Sequence, residues 1–259
     1  MSKHEPSITL EVCVDSLASA QIAANAGAQR IELNAALALG GLTPSIGLAE
    51  QCVALVKPQV CEVIAMVRPR PSGFSYSSEE LSVMSHDVDR LIAAGVDGIA
   101  LGVLNPNGTI DEQANLRLIE PILKAGKQAV FHRAFDLTPD PIVALESLIA
   151  VGFHRVLTSG QAATAIDGAG IIRRLIQRAA GRIEVLPGSG ITAKNAEALI
   201  RQTGCTQVHA SLRTKQEDIT ASRNPEIQFN STGVDENSYD QTDASKVKAM
   251  MQVLFHLKA

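Results

Sequence analysis

The sequence predicts a single α/β domain, a (β/α)₈ TIM-like barrel, over residues 1–259. Short apolar segments alternate with helical segments about eight times along the chain, which is the pattern of parallel strands joined by helices. The length of 259 residues also suits one such barrel of about 250 residues. An open doubly wound sheet is the alternative, but its GxGxxG fingerprint is absent from the first turn, which reads VCVDS.

The predicted strands are apolar runs that end in polar or glycine-containing turns. The fifth strand opens the segment QAVFHRAFD, so an apolar run leads directly into His132, Arg133 and Asp136. Such an ending indicates either a strand that reaches solvent or one wall of a functional site. The eight strands lie at residues 8–14, 30–34, 60–67, 97–103, 155–158, 183–186 and 207–212, with the fifth inside 128–136.

Helical spacing of apolar residues predicts a helix after the strands. Ser16 suits the cap of the first helix, which ends at Gly27, and Asp243 suits the cap of a closing helix at 244–257. The polar stretch 213–242 has few apolar residues, so we expect a lid or a partly disordered loop there. The other helices lie at about 46–56, 78–94, 111–125, 141–151, 165–179 and 193–203.

Composition argues against several classes of protein. A net charge of −4 without a clustered Lys/Arg run argues against nucleic-acid binding. No apolar run reaches the ~18 residues of a membrane span, and the first residues lack the apolar part of a signal peptide, so we expect a cytoplasmic protein with no membrane partner. The four cysteines form no CxxC pair, which argues against a structural zinc site or a disulfide framework.

Strand alternation places polar side chains inside the barrel at the end where barrel proteins carry their sites. Glu11 and Cys13 face inward from the first strand, Glu32 from the second, and His209 from the eighth. Because an unpaired buried charge costs several kcal/mol, these groups must neutralise one another or meet water or a ligand. The alternatives are a purely structural polar plug and a ligand site, and we favour the ligand site.

Two arginines and one of two neighbouring residues join this set. Arg68 and Arg70 share the inward parity of the third strand. The alternation of the fifth strand allows His132 or Arg133 inside, not both, and we expect His132. The carboxylate and imidazole groups fit acid–base chemistry on a small anion held by arginine. The candidate catalytic residues are Glu11, Glu32, Arg68, His132, Asp136 and His209, and further ligand-binding candidates are Arg70, Arg133, Thr158 and Ser159.

The loop PGSGIT after the seventh strand is a second candidate for anion binding. Gly188, Ser189 and Gly190 resemble phosphate-binding turns of barrels, where backbone N–H groups approach an anion. A plain tight turn is the alternative. No lysine lies on the C-terminal half of a predicted strand, which argues against a Schiff-base aldolase.

Seven segments, in order and spacing, resemble the copper homeostasis protein CutC family: LEVCVDSLASA, GAQRIELNAAL, GGLTPS, MVRPR, FHRAFD, RVLTSGQ and PGSGI. The resemblance runs from about residue 10 to residue 212. It implies a TIM-like barrel, a cytoplasmic homodimer or higher homo-oligomer, and a link to copper tolerance through copper(I) binding.

The resemblance also implies copper(I) ligands near the ends of the first two strands. Cys13 matches the first ligand position, whereas Asn34 occupies the second, where many relatives carry cysteine. Copper(I) prefers thiolate or thioether ligands, and an amide is a poor substitute. Two hypotheses therefore stand: a copper(I)-binding homeostasis protein, and a barrel enzyme acting on a small anionic or phosphorylated metabolite.

Overall fold

Eight parallel strands form a nearly closed barrel in the computed structural model, which describes residues 8–220, 223–224, 226–227 and 237–257. The strand order β7-β6-β5-β4-β3-β2-β1-β8 confirms the predicted barrel and excludes the doubly wound sheet. The strands are β1 Thr9–Val14, β2 Arg30–Leu33, β3 Glu62–Met66, β4 Gly98–Leu101, β5 Gln128–Phe131, β6 Arg155–Thr158, β7 Glu184–Pro187 and β8 Gln207–Ala210.

Eight α-helices of the described residues surround the strands. Ser16 caps the first one as predicted, because its side chain accepts a hydrogen bond from Ser19 N, and Asp243 caps the last in the same way. The helices are α1 Leu17–Asn25, α2 Ile46–Val56, α3 Ser78–Ala93, α4 Glu112–Lys124, α5 Pro141–Val151, α6 Ala169–Ala179, α7 Ala196–Thr203 and α8 Ala244–His256. No described helix is long and apolar enough to cross a membrane.

The segment after β5 and the polar stretch before α8 differ from the prediction. After β5 the chain turns at His132 into a 3₁₀ helix, Arg133–Leu137, whose first backbone N–H groups are partly satisfied by the His132 ring. The ends of the polar stretch pair as an antiparallel hairpin, β9 Arg213–Glu217 with β10 Ser238–Thr242. Within the predicted lid, residues 221–222, 225 and 228–236 lie outside the described residues.

The barrel interior has an apolar half and a polar half. Ile64, Met66, Ala100 and Val130, from β3 to β5, form a buried apolar cluster of their own. The inward side chains of β1, β2 and β8 are charged or polar instead. Since β1 pairs with both β2 and β8, these side chains lie on adjacent strands and can contact one another.

Candidate functional site

Glu11 connects two cationic side chains in the polar half of the barrel. Its carboxylate contacts Arg30 Nε and accepts a hydrogen bond of 2.7 Å from His209 Nδ1. Burial alone would raise the pKa of Glu11, but Arg30 and His209 outweigh burial and hold that pKa well below its usual range. Arg30 also donates to Gln207 Oε1 at 2.6 Å. Glu11 is therefore a buried carboxylate with a fixed orientation.

Cys13, Glu32 and His209 form a compact cluster of metal-ligand types. Cys13 Sγ donates to Glu32 Oε2 at 3.5 Å, and His209 Nε2 lies 4.0 Å from the same oxygen. One ligand atom from each of the three residues lies within 4.8 Å of the others. Glu11 holds His209 Nδ1, so Nε2 faces this cluster. A carboxylate on the far nitrogen is the usual support of a metal-binding histidine.

The protons of this cluster are held strongly. Burial, reinforced by the charge of Glu32, raises the pKa of the Cys13 thiol well above its usual value. Burial also raises the pKa of Glu32, although His209 partly opposes it. Burial lowers the pKa of His209, but Glu32 and Glu11 outweigh burial, so the net shift is upward. A cation that binds these groups must therefore displace protons from them.

Asn34 supports the cluster with its amide nitrogen. Its Nδ2 donates to Glu32 Oε2 at 3.0 Å and lies 3.4 Å from Cys13 Sγ. Its Oδ1 has no hydrogen-bond partner among the described residues. Asn34 therefore acts as a hydrogen-bond donor beside the sulfur.

A cavity of about 130 Å³ opens from this cluster, and we call it the inner chamber. It lies at the C-terminal ends of the strands, where barrel sites are found. Its polar lining is Cys13, Glu32, Asn34, Arg68, His132, Arg133 and His209, and its other walls are Leu37, Gly40, Met66, Phe74 and Leu157.

Arg68 enters the inner chamber as the parity of β3 predicts. Its Nη1 donates to the carbonyl oxygens of residues 39, 40 and 41 at 3.2–3.3 Å, and its Nη2 donates to Ser72 O at 2.7 Å. Its guanidinium carbon lies 4.8 Å from the centre of the Phe74 ring. No carboxylate of the described chain lies within 4.0 Å of this guanidinium, and its Nε has no partner.

His132, rather than Arg133, is the buried member of its pair. Its Nδ1 accepts the backbone N–H of Ala134 at 3.3 Å, so the neutral ring carries its proton on Nε2. Burial, together with the charge of Arg68, lowers the pKa of His132 to about 3. Gly102 makes room for the ring, since a Cβ there would lie 2.8 Å from His132 Nδ1. His132 Nε2 has no partner.

A larger cavity of about 570 Å³, the outer chamber, adjoins the first. The two share Cys13, Arg133 and His209. The outer chamber includes Ser189 and Gly190 of the predicted anion-binding loop, both with positive φ. Gly188 serves packing instead, because a Cβ there would lie 2.7 Å from Leu157 Cδ1. Its other lining residues are 191–194, 210–213, Lys246 and Ala249.

Asp136 lies outside both chambers and holds the loop after β6. Its carboxylate accepts from Thr158 Oγ1 at 2.5 Å, from Ser159 N and Oγ at about 3 Å, and from Gln161 N at 3.2 Å. It also accepts from Arg133 Nε at 2.8 Å. The structure therefore does not place Asp136, Thr158 or Ser159 with the candidate catalytic set, because their polar atoms are used in this loop.

Arg70 also lies away from the chambers. Its guanidinium pairs with Glu80 and lies 5.1 Å from the centre of the Tyr76 ring. β3 ends at Met66, so the alternation that relates Arg68 to Met66 does not extend to Arg70. Sequence reasoning missed Phe74, because the irregular loop 68–77 has no periodicity that fixes a side-chain direction.

Comparison with known proteins identifies the family. The family model described as the CutC family matches residues 8–214. This chain belongs to the CutC family. A CutC family protein of Treponema denticola is 47% identical over 223 residues, covering 86% of this chain and 88% of the relative. A human relative named copper homeostasis protein cutC homolog is 40% identical, covering 93% of this chain and 87% of its own.

A solved CutC structure agrees with the fold described above. The crystal structure of a protein from Streptococcus agalactiae, described as a copper homeostasis protein CutC, is 34% identical with a TM-score of 0.73. It covers 79% of this chain and 98% of its own. The residues matched by the family model, 8–214, include Cys13, Glu32, Arg68, His132 and His209.

Proposed function

We propose that this CutC family member binds copper(I) through Cys13 Sγ and His209 Nε2. The observation that carries the proposal is the three-residue cluster whose ligand atoms lie within 4.8 Å of one another. Sulfur and imidazole donors suit copper(I), whereas the harder oxygen of Glu32 suits it less. The copper homeostasis name of the human relative supports the same metal.

Each residue of the cluster has a distinct part in this proposal. Cys13 supplies the sulfur, and Glu32 accepts its proton through the contact of 3.5 Å. Glu11 accepts a hydrogen bond from His209 Nδ1, which leaves Nε2 free to donate an electron pair to the metal. Asn34 Nδ2, 3.4 Å from the sulfur, stabilises its negative charge. Copper(I) is the cargo, and the protein holds it without chemical change.

Competition with a copper(I) chelator tests the proposal. Reduced protein is titrated in its wild-type form and as Cys13→Ser and His209→Gln. Cys205→Ser is the matched control, because Cys205 is also buried but is not in the cluster. We expect Cys13→Ser and His209→Gln to lose at least about tenfold in affinity and Cys205→Ser to match the wild type. Equal affinity in Cys13→Ser and wild type would contradict a site at Cys13.

A second candidate function is acid–base catalysis on a small anion. The observation that favours it is the buried Arg68, which has no carboxylate partner in the described chain and shares a chamber with the coupled pair Glu32 and His209. Wild-type protein is incubated with a pool of small anionic metabolites, followed by mass spectrometry. Consumption that is lost in Glu32→Gln would support the candidate; no consumption by wild type would exclude it.

A cytoplasmic location and assembly as a homodimer or higher homo-oligomer belong to the same proposal. Both are implied by the family resemblance, and the free thiol of Cys13 is typical of a reducing compartment. Light scattering of the purified protein measures the assembly directly, and a monomer at all concentrations would contradict it.

A further inference from the structure

The charge of Arg68 distinguishes it from the other buried arginines. Arg30 contacts Glu11, and Arg155 Nη2 lies 2.6 Å from Glu184 Oε2. Arg68 is 6% exposed, yet its hydrogen bonds go to backbone carbonyl oxygens. Carbonyl oxygens accept from its Nη1 and Nη2 groups but leave its positive charge without a counter-ion among the described residues. A buried, uncompensated charge is costly, so an anion in the chamber would stabilise it.

The carboxylates beside the inner chamber face groups other than Arg68. Glu32 accepts from Asn34 Nδ2 and lies 4.0 Å from His209 Nε2, and Glu11 faces Arg30 and His209. In the outer chamber, Arg133 Nε lies 2.8 Å from Asp136, Arg213 lies 3.4 Å from Asp240, and the two lysines of the lining are exposed to solvent. Among the buried arginines that the structure describes, the uncompensated charge is therefore located at Arg68.

Two side chains that line the inner chamber each have a buried donor without a partner among the described residues. The donors are Arg68 Nε and His132 Nε2. The neutral His132 ring is a donor at Nε2, because its Nδ1 already accepts the Ala134 N–H. Two N–H donors match the two oxygens of a carboxylate. One uncompensated positive charge also matches one negative charge, whereas a phosphate monoester would leave excess negative charge buried.

The size of the chamber limits the ligand further. Its volume of about 130 Å³ equals the space of about four water molecules at ~30 Å³ each. A carboxylate with two or three carbons fits within this space, whereas an aromatic acid would have to extend into the adjoining outer chamber.

We propose that the inner chamber binds a small monocarboxylate, with Arg68 Nε and His132 Nε2 donating to its oxygens. This inference deepens the second candidate function, since it names the class of its substrate. In this proposal His132 acts as an uncharged hydrogen-bond donor. Its ring remains neutral and protonated on Nε2 throughout the physiological pH range. The carboxylate lies beside Glu32 and His209, the groups that exchange protons.

Calorimetric titration with small anions tests the inference. Wild-type protein, freed of copper by a chelator, is titrated with acetate, glycolate and pyruvate, and separately with inorganic phosphate and benzoate. We expect the three small carboxylates to bind and phosphate and benzoate to bind at least about tenfold more weakly. Arg68→Met and His132→Phe should each weaken acetate binding by roughly tenfold to 100-fold. Arg70→Met is the matched control and should match the wild type, because Arg70 is paired with Glu80.

Arg68 also joins the loops around residues 40 and 72, so Arg68→Met removes contacts of the fold as well as a donor of the chamber. A second measurement therefore uses the wild-type protein. The Nε2–H signal of His132 in ¹⁵N-labelled wild-type protein should shift when acetate is added. An unchanged signal, or acetate binding equally strong in His132→Phe and Arg70→Met, would overturn the inference. Carboxylate binding without consumption would exclude the catalytic candidate function and still support the carboxylate site. The copper titration tests the metal site independently.

Discussion

At the scale of the residue, Glu11 affects both the stability of the barrel interior and the orientation of His209. It is 2% exposed and contacts both Arg30 and His209. Strand alternation alone predicts that Glu11, Glu32 and His209 face inward. It does not predict which of them pair, because pairing depends on the register between strands that are adjacent in space and distant in sequence.

We predict that Glu11→Gln lowers the free energy of unfolding by about 3–5 kcal/mol, because it leaves Arg30 buried without its carboxylate. Urea unfolding at neutral pH measures the change. Glu62→Gln is the control: Glu62 is 43% exposed and 3.7 Å from Arg30 Nη1, so its loss should change stability by less than about 1 kcal/mol. Equal losses of unfolding free energy in the two variants would contradict the inference that Glu11 is the main partner of Arg30.

Asp136 shows what residue type alone does not determine. A carboxylate just after a strand end is an expected catalytic residue, but its position depends on how the chain turns after β5. The 3₁₀ helix Arg133–Leu137 carries Asp136 away from the chambers and towards the backbone of Ser159. Nothing in the spacing of FHRAFD distinguishes a continued strand from this turn.

At the scale of the element, the connection between α2 and β3 contains a strained residue. Val60 has φ of +56° and is 87% exposed. A β-branched side chain is disfavoured in this left-handed region, and its exposure brings no compensating burial. The predicted strand began at residue 60, whereas β3 begins at Glu62, because Val60 ends the preceding turn.

We predict that Val60→Asn stabilises the protein by about 1 kcal/mol, since Asn tolerates a positive φ. Differential scanning calorimetry should show a Tm increase of roughly 2–4 °C. Val83→Asn is the control, because Val83 is exposed on α3 and the two residues have similar helix propensity. A lower Tm for Val60→Asn than for the wild type would contradict the inference that Val60 is strained.

At the scale of the whole molecule, the fold follows from the sequence more completely than the site does. The barrel strands β1 to β8 and the helices α1 to α8 were predicted within a few residues, because periodicity and capping are local. The hairpin of β9 and β10 was missed, since its residues alternate without a clear apolar face. The chambers were not predictable, because their walls come from loops whose paths depend on the assembled barrel.

The pH dependence of stability also belongs to this scale. The pKa of Glu11 is lowered from 4.5, so its contribution to stability is present above that value and lost as the pH falls. The pKa of His209 is raised from 6.5, so its contribution is present below 6.5 and lost as the pH rises through the folded-state pKa. The pKa of His132 is lowered from 6.5 to about 3, so its neutral form costs stability progressively as the pH falls below 6.5. Stability should therefore be greatest near pH 6.5.

We predict that the free energy of unfolding of copper-free protein falls as the pH rises from about 6.5 to 8.5. Urea titrations at a series of pH values measure it, and His209→Gln should reduce the fall. Copper(I) competes with the same protons, so its affinity should rise over the same range. Copper affinity that is independent of pH would show that the metal binds elsewhere.

The pairing of β1 with β8 has a consequence for synthesis. Cys13 and Glu32 leave the ribosome well before His209. A chain made only as far as β7 therefore has no complete cluster and exposes the edge of β1. Any ligand held by both β1 and β8 can bind only after β8 has closed the barrel. Occupancy of this site thus reports that all eight barrel strands have been made and assembled.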